Sequence, residues 1–440
     1  MGVNTSGVRQ IAEAAGSNNA KRVACTALVL RRTSLVLGLI GMSVLLLLCR
    51  PIAQLTFGNR AHAGAIACLS LTVLFMEVAN GQTALIQGKR RIGDLAAISI
   101  CGAALGTILS ISIICAFREN GIVPFMIAVS GLGIATSWWF ARRIKLEQVS
   151  ISAPLVRSEV KALLGMGLAF MASGTMTNTV SYLTRVMVIR GMSLEAAGLY
   201  QAAWGLSGVY VGFVLAAMGA DYYPKLAAVA GDDSEVYRLV NEQTEAALLM
   251  AIPGILVTIA FAPTVIHMLY SPQFAPAGSI LRWQILGVLG RVMSWPVGLV
   301  LLAKGCVKTF LWTEVVSNIV YLGLIWIGMK MFGLSGLGMA FFGLYIFHIG
   351  LMLGVLNRTC GFRWTNANVQ LGAGAVLATA AVFVVTSGVV SARWGMALAC
   401  VVIVAVSLMC AKRLAKRSGY SGLGDAWREV RTHFVVRWVR

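Results

Sequence analysis

Twelve apolar runs follow one another along this chain, each roughly 17 to 25 residues long and so able to cross a bilayer as a helix. Their approximate centres are residues 42, 75, 105, 131, 175, 208, 257, 291, 320, 345, 378 and 403. Hydrocarbon offers no water to bond backbone N–H and C=O groups. A run that spans it must close its own hydrogen bonds, which a helix does. The chain is 58% hydrophobic and 12% charged with a mean hydropathy of +0.82, too apolar for a soluble protein of 440 residues. The expected fold class is an all-α polytopic membrane protein of about 12 transmembrane helices.

A net charge of +20 invites a nucleic-acid reading, and its distribution excludes one. The alternate segments 1–32, 88–93, 142–161, 221–243, 304–308, 357–365 and 412–440 carry 27 of the 36 Lys and Arg residues. The intervening loops carry six, namely Arg50, Arg60, Arg118, Arg190, Lys330 and Arg393, and Arg185, Arg282 and Arg291 lie inside spans. This is the asymmetry of a positive-inside topology, with both termini cytoplasmic. The nine cysteines stand singly with no Cys-x-x-Cys spacing, as small core residues rather than metal ligands or disulfides. Gly-x-Ser-x-Gly, His-Glu-x-x-His and a nucleotide-binding Gly-Lys-Thr are all missing, so neither an enzyme nor a cofactor is expected.

Residues 194 to 231 read as one spanning helix ending at Pro224, followed by a short loop of mixed charge. Gln201, Gly205, Gly208 and Gly212 recur along it as a stripe of small residues that would let another helix approach closely. The stretch gains meaning from an internal repeat. Residues 16–145 resemble 231–360, with RPIAQLTF at 50–57 against APTVIHMLY at 262–270 and GKRRIGDLAAIS at 88–99 against GCVKTFLWTEVVS at 305–317. Both copies run in the same sense, the mark of a parallel duplication into two pseudo-symmetric lobes. Two helices, near 175 and 208, precede the second copy. By the repeat's logic about two are absent before the first, leaving the N-terminal lobe incomplete. The expected organisation is an incomplete N-terminal lobe at 1–145, a six-helix C-terminal lobe at 146–365, an extra helix pair at 366–411 and a tail at 412–440. In the tail Trp427, Val430, Phe434 and Trp438 share one helical face among basic residues, as in a helix lying on anionic lipid.

GLYQAAWGLSGVY followed by YYPKLA resembles the middle helix of O-antigen and related lipid-linked oligosaccharide flippases. TSGVRQIAEA, RPIAQLTFG and GQTALIQGKRRIGDLA resemble that family's first half. These flippases belong to the multidrug/oligosaccharidyl-lipid/polysaccharide exporter superfamily. The resemblance runs to about residue 365 and implies two helical lobes around a central cavity, with a further C-terminal pair. It also implies a function: moving an undecaprenyl-pyrophosphate-linked oligosaccharide, an O-antigen or exopolysaccharide unit, from the inner to the outer leaflet of a bacterial inner membrane. The implied partners are that lipid-linked substrate, the surrounding lipids and other polysaccharide-assembly membrane proteins.

Charge deep in a bilayer is expensive, so each intramembrane charge is a candidate for function. Arg291 and Glu77 lie near the middle of their spans and fall close together under the repeat. As a pair they either contact substrate, with the arginine's planar fork suited to a pyrophosphate, or form an interhelix salt bridge. Arg185, Arg190 and Arg282 sit near outer helix ends, where they snorkel to headgroups or line a basic vestibule. His348 reads as a core histidine. Tyr200, Trp204, Tyr210, Trp283, Trp295 and Trp312 are able to stack on sugar rings, although belt and packing roles are commoner for aromatics in membranes. Pro253 and Pro296 lie inside spans, as hinge candidates or static kinks.

Other functions stay open at this level. A cation antiporter of the same superfamily would favour intramembrane carboxylates, which arginines outnumber here. A membrane polymerase or ligase needs long outer loops, and the longest here has about a dozen residues. A non-functional truncated product is the third alternative.

Overall fold

A computed structural model describes residues 7, 8, 10–12, 14, 20–89, 91–144, 147, 174–389 and 392–417. All of its regular structure is helical. The chain divides into two compact units, Met1–Tyr182 and Leu183–Arg440. Most of the 412–440 tail, with its aromatic face, lies outside the described residues.

The first unit contains α1 (Ala20–Phe57), α2 (Ala63–Gly88), α3 (Ile92–Phe117) and α4 (Ile122–Ala141). Its buried core gathers at one end, where Val29 and Leu30 of α1 meet Ala84 and Leu85 of α2 and the short helical stretch carrying Ile11 and Ala14. Along the rest of α1 to α3 large apolar side chains point outward, Leu47 at 80% exposure and Ile100 at 68%. Such surface suits a lipid environment, where apolar side chains need no covering layer of protein.

Residues 174–191 form α5, which runs across the boundary of the two units. The second unit continues with α6 (Leu194–Ser207), α7 (Val209–Ala228), α8 (Asp233–Leu269), α9 (Ala277–Ala303), α10 (Val307–Cys360), α11 (Asn366–Val384) and α12 (Ala392–Arg417). Caps legible in the sequence fix several starts. Ser193 accepts the Ala196 N–H at 3.0 Å, Asp232 accepts those of Ser234 and Glu235, and Thr365 accepts that of Asn368 at 3.3 Å. The bonds from Ser234 and Glu235 hold the Asp232 carboxyl below the usual carboxylate range, the Ser234 hydroxyl most of all. Helices α8 and α9 form the centre of the unit, with Leu248, Ile252, Ile255, Leu256 and Ile259 of α8 almost inaccessible.

Eight described helices are long and apolar enough to cross a membrane. Two of these, Gly93–Ala141 and Val307–Cys360, contain 49 and 54 residues, and each is broken near its middle. Eleven of the twelve expected centres fall inside helices. The twelfth, 208, does not. The expected single helix over 194–224 is interrupted at Gly208 and its second half runs on to Ala228. Among the described residues the glycines of the stripe make no close helix contact either. No described residue lies within 4 Å of a Cβ built on Gly205 or Gly212. The close approaches are on α9 and α10, where a Cβ on Gly287 would meet Phe341 at 2.6 Å and one on Gly338 would meet the Ile280 carbonyl at 2.5 Å.

Helix lengths carry the duplication. The first copy has 38, 26, 26 and 20 residues in α1 to α4; α8 and α9 have 37 and 27, and α10 supplies the remaining two helices. The offset of 215 residues that relates residue 16 to 231 also takes Lys89, at φ −81° and ψ 4°, to Lys304, at φ −78° and ψ 0°. Both lysines end their helices with the same pair of backbone bonds, to Leu85 and Gln87 in one copy and to Val300 and Leu302 in the other.

Candidate functional site

In the second unit a series of polar and aromatic contacts runs from an exposed pair on α5 and α6 to buried groups on α10. It begins on α5, where Arg185 Nε donates to Gln201 Oε1 of α6 at 3.0 Å. One residue before Gln201, the buried Tyr200 hydroxyl lies 3.0 Å from that of Tyr321 on α10. Tyr200 stacks on Trp204, and the Trp204 ring meets Phe341 edge-on, with centroids 5.3 Å apart. Phe341 packs on Tyr345, Tyr345 on His348, and His348 Nδ1 lies 2.9 Å from the Ser317 hydroxyl. Tyr345 also stands within electrostatic reach of both Arg291 and Glu314.

Two glycines permit this arrangement. A Cβ on Gly287 would strike Phe341, and one on Gly290 would come within 2.8 Å of the Tyr345 Cβ. Without side chains at these positions α9 and the second half of α10 approach closely. Arg291, next in sequence to Gly290, is thereby brought to the Tyr345 end of the chain. Among the described residues its guanidinium makes no hydrogen bond or ion pair, although the residue is half-buried. An unpaired cation at such depth needs either water or an anionic ligand.

Beside this polar chain lies a cavity of about 520 Å³ between α9, the second half of α10 and α11. Trp283, Met293, Phe342, Ile349 and Phe383 line it, and Tyr345 and Gly290 belong to its wall as well. The one hydroxyl on α11 that reaches it, Thr379, is already bonded to the Ala375 carbonyl. The space is therefore apolar; Arg291 is not among its lining residues, although its neighbour Gly290 and Tyr345 are.

Arg282 occupies the other end of that wall. Its guanidinium donates to the carbonyls of Phe383 and Thr386 and to the Thr386 hydroxyl, and it stacks over the Phe383 ring at 4.5 Å. There α11 loosens into a π turn at Val385–Val389. A π turn displaces backbone carbonyls from their usual partners, and Arg282 bonds those it can reach. Pro253 and Pro296 both lie within continuous helices, and the Pro296 carbonyl accepts the Tyr222 hydroxyl at 3.0 Å.

Of the residues expected from sequence, Arg185, Tyr200, Trp204 and Arg291 are joined by this chain, whereas Arg282 is bonded elsewhere. Glu77 belongs to α2 of the first unit, its Cβ 3.3 Å from where a Cβ on Gly38 would stand. Sequence reasoning missed Tyr321, Tyr345 and Ser317. The signal was available, since the rule that selects Arg291, a polar group deep in an apolar run, selects these too.

The family described as polysaccharide biosynthesis protein matches the chain over residues 24–279. The chain belongs to that family. No curated protein matches its sequence. Among solved structures, this family member is similar to the lipid II flippase MurJ in an inward closed conformation. They share 13% identity at a TM-score of 0.66, over 94% of this chain and 88% of that one. It is similar to an inward-facing multidrug resistance MATE family transporter of the MOP superfamily, at 14% identity and a TM-score of 0.66, over 86% and 87% of the two chains. A MOP superfamily transporter from Pyrococcus furiosus is also similar, at 16% identity and a TM-score of 0.58, over 86% and 84%. At these identities the likeness is one of fold. This polysaccharide biosynthesis family member is thus a multi-pass membrane protein with the fold of those transporters.

Proposed function

We propose that the chain is a flippase for a lipid-linked oligosaccharide. It moves the undecaprenyl-pyrophosphate-linked unit from the inner to the outer leaflet by alternating access, in a bacterial inner membrane with both termini cytoplasmic. One observation carries the reading: Gly290 and Tyr345 wall an apolar cavity of about 520 Å³, and Arg291, next to Gly290 in sequence and within electrostatic reach of Tyr345, makes no ion pair among the described residues. A lipid pyrophosphate has the matching two parts. Its charged oxygens suit the bidentate fork of a guanidinium, and its prenyl chain suits the cavity. Membership of a polysaccharide biosynthesis family and the MurJ-like fold support the same substrate class. Trp204 and Tyr345, both half-buried, supply aromatic faces for the saccharide, the buried Tyr200 backs Trp204, and Arg185 supplies a second cation. Arg282 shapes the cavity by holding the end of α11.

The test is reconstitution into vesicles carrying a fluorescent undecaprenyl-pyrophosphate oligosaccharide, with transfer between leaflets read by a quencher that does not cross the bilayer. Transfer above the rate of protein-free vesicles is expected. Equal rates in the two would refute the proposal.

A further inference from the structure

The first unit holds a cationic recess of about 150 Å³ between α1, α2 and α4. Arg31 and Arg142 line it with Gln82 and Trp138, and among the described residues no acidic one does. Arg31 makes no hydrogen bond or ion pair among the described residues. Arg142 lies over the Trp139 ring at 3.7 Å and over Trp138 at 4.9 Å, which fixes its guanidinium without neutralising it. Gln82 is 93% buried; its Oε1 accepts the Ser137 hydroxyl at 2.7 Å, while its Nε2 has no partner among the described residues. The site thus offers two cations and one amide donor.

The second copy of the repeat shows that the fold does not require any of this. The 215-residue offset takes Gln82 and Ser137 to Val297 and Met352, which pack together in a dry core with Val300 and Leu356. It takes Arg31 to Ala246 and Arg142 to Asn357. A buried amide and hydroxyl cost stability relative to a valine and a methionine unless something uses them. Trp138 and Trp139 are nearly half exposed, as aromatics are at the level of lipid headgroups, and both arginines fall in the segments that the charge asymmetry assigns to the cytoplasm.

We infer that this recess binds a phosphate group carried on a lipid of the inner leaflet. Arg31 and Arg142 contact its oxygens and Gln82 Nε2 donates to it. Two sources present that chemistry: the headgroup of an anionic phospholipid, and the pyrophosphate of a lipid-linked saccharide.

Binding to the purified full chain tests the inference independently of transport. Soluble dioctanoyl phosphatidylglycerol, its phosphatidylcholine counterpart and inorganic pyrophosphate are titrated while the melting temperature is followed. Phosphatidylglycerol is expected to stabilise the chain and phosphatidylcholine not to. Arg31→Gln with Arg142→Gln should weaken that binding at least about tenfold, through the loss of two charge-assisted bonds. Arg32→Gln with Arg143→Gln removes the same charge outside the recess and should change it by less than about twofold, the effect of screened surface charge. Gln82→Glu, of equal size, places a carboxylate against the phosphate and should match the first pair. Displacement of phosphatidylglycerol by pyrophosphate assigns the site to the lipid-linked saccharide; binding of phosphatidylglycerol alone assigns it to bulk phospholipid. Equal losses from the two arginine pairs, or no loss from the first, would overturn the inference.

Discussion

Arg118 and Gly333 hold the same left-handed backbone conformation, φ 51° with ψ −129° and φ 57° with ψ −133°, at positions 215 residues apart. Each ends one helix of the repeat and turns the chain into the next. The same offset relates Gly121, where a Cβ would lie 2.9 Å from the Ile113 carbonyl, to Gly336, where it would lie 1.9 Å from that of Gly328. The duplication has kept its tightest turn in both copies, although the residue at positive φ is glycine in only one.

That asymmetry is measurable. An arginine at positive φ is strained by about 1–3 kcal/mol, and glycine is not. Glycine gives back about 0.5–1 kcal/mol through the unfolded chain. Arg118→Gly should therefore raise stability by about 1 kcal/mol, whereas Gly333→Arg should lower it by about as much. Thermal melting of the two purified variants checks both signs. A stabilised Gly333→Arg would contradict the equivalence of the turns.

At the candidate site, Arg291→Ala should reduce leaflet transfer to the background of empty vesicles while the protein still inserts. Arg291→Lys keeps a point charge and loses the planar fork, so transfer should fall about tenfold, the worth of one charge-assisted bond. Normal surface polysaccharide in a flippase-null strain complemented with Arg291→Ala would remove this residue from the mechanism.

The cavity gives a prediction of opposite character. Ala380 is exposed on its wall, so Ala380→Trp fills the space from an unburied position. Folding stability should stay within about 0.5 kcal/mol, as for surface changes generally. Transfer of the lipid-linked saccharide should drop to background because its prenyl chain is excluded. Full activity with an indole in the cavity would assign the lipid tail to another surface.

Helices α11 and α12 are attached to α8 by unequal contacts. Asn241 of α8 bonds the Arg363 carbonyl at 3.3 Å, the Thr365 N–H at 2.9 Å and the Asn368 amide at 2.9 Å, almost wholly buried. Arg417 bonds Glu245 at 2.9 Å in the open. Asn241→Leu should cost about 2–4 kcal/mol through the groups it leaves unpaired, and Arg417→Ala less than about 1 kcal/mol. Melting temperatures, with hydrogen exchange over α11, separate the two.

The sequence by itself determined the spans, their alternation of basic loops and the order of the repeat. Each follows from the length of an apolar run or the cost of moving charge through lipid, which are properties of a segment. It also singled out Arg291, because an isolated charge in an apolar run is visible without knowing its neighbours. Tertiary structure decided what those residues meet. Arg282 and Arg291 lie inside one apolar run, yet a π turn beyond α11 captures the first guanidinium, whereas the second makes no ion pair among the described residues. The glycines of 205 and 212 read as a packing stripe, and Gly287 and Gly290 do not, yet the second pair is where helices close. A glycine only permits approach; whether a partner takes it depends on which helix the fold sets opposite, and that is settled by packing across segments far apart in sequence.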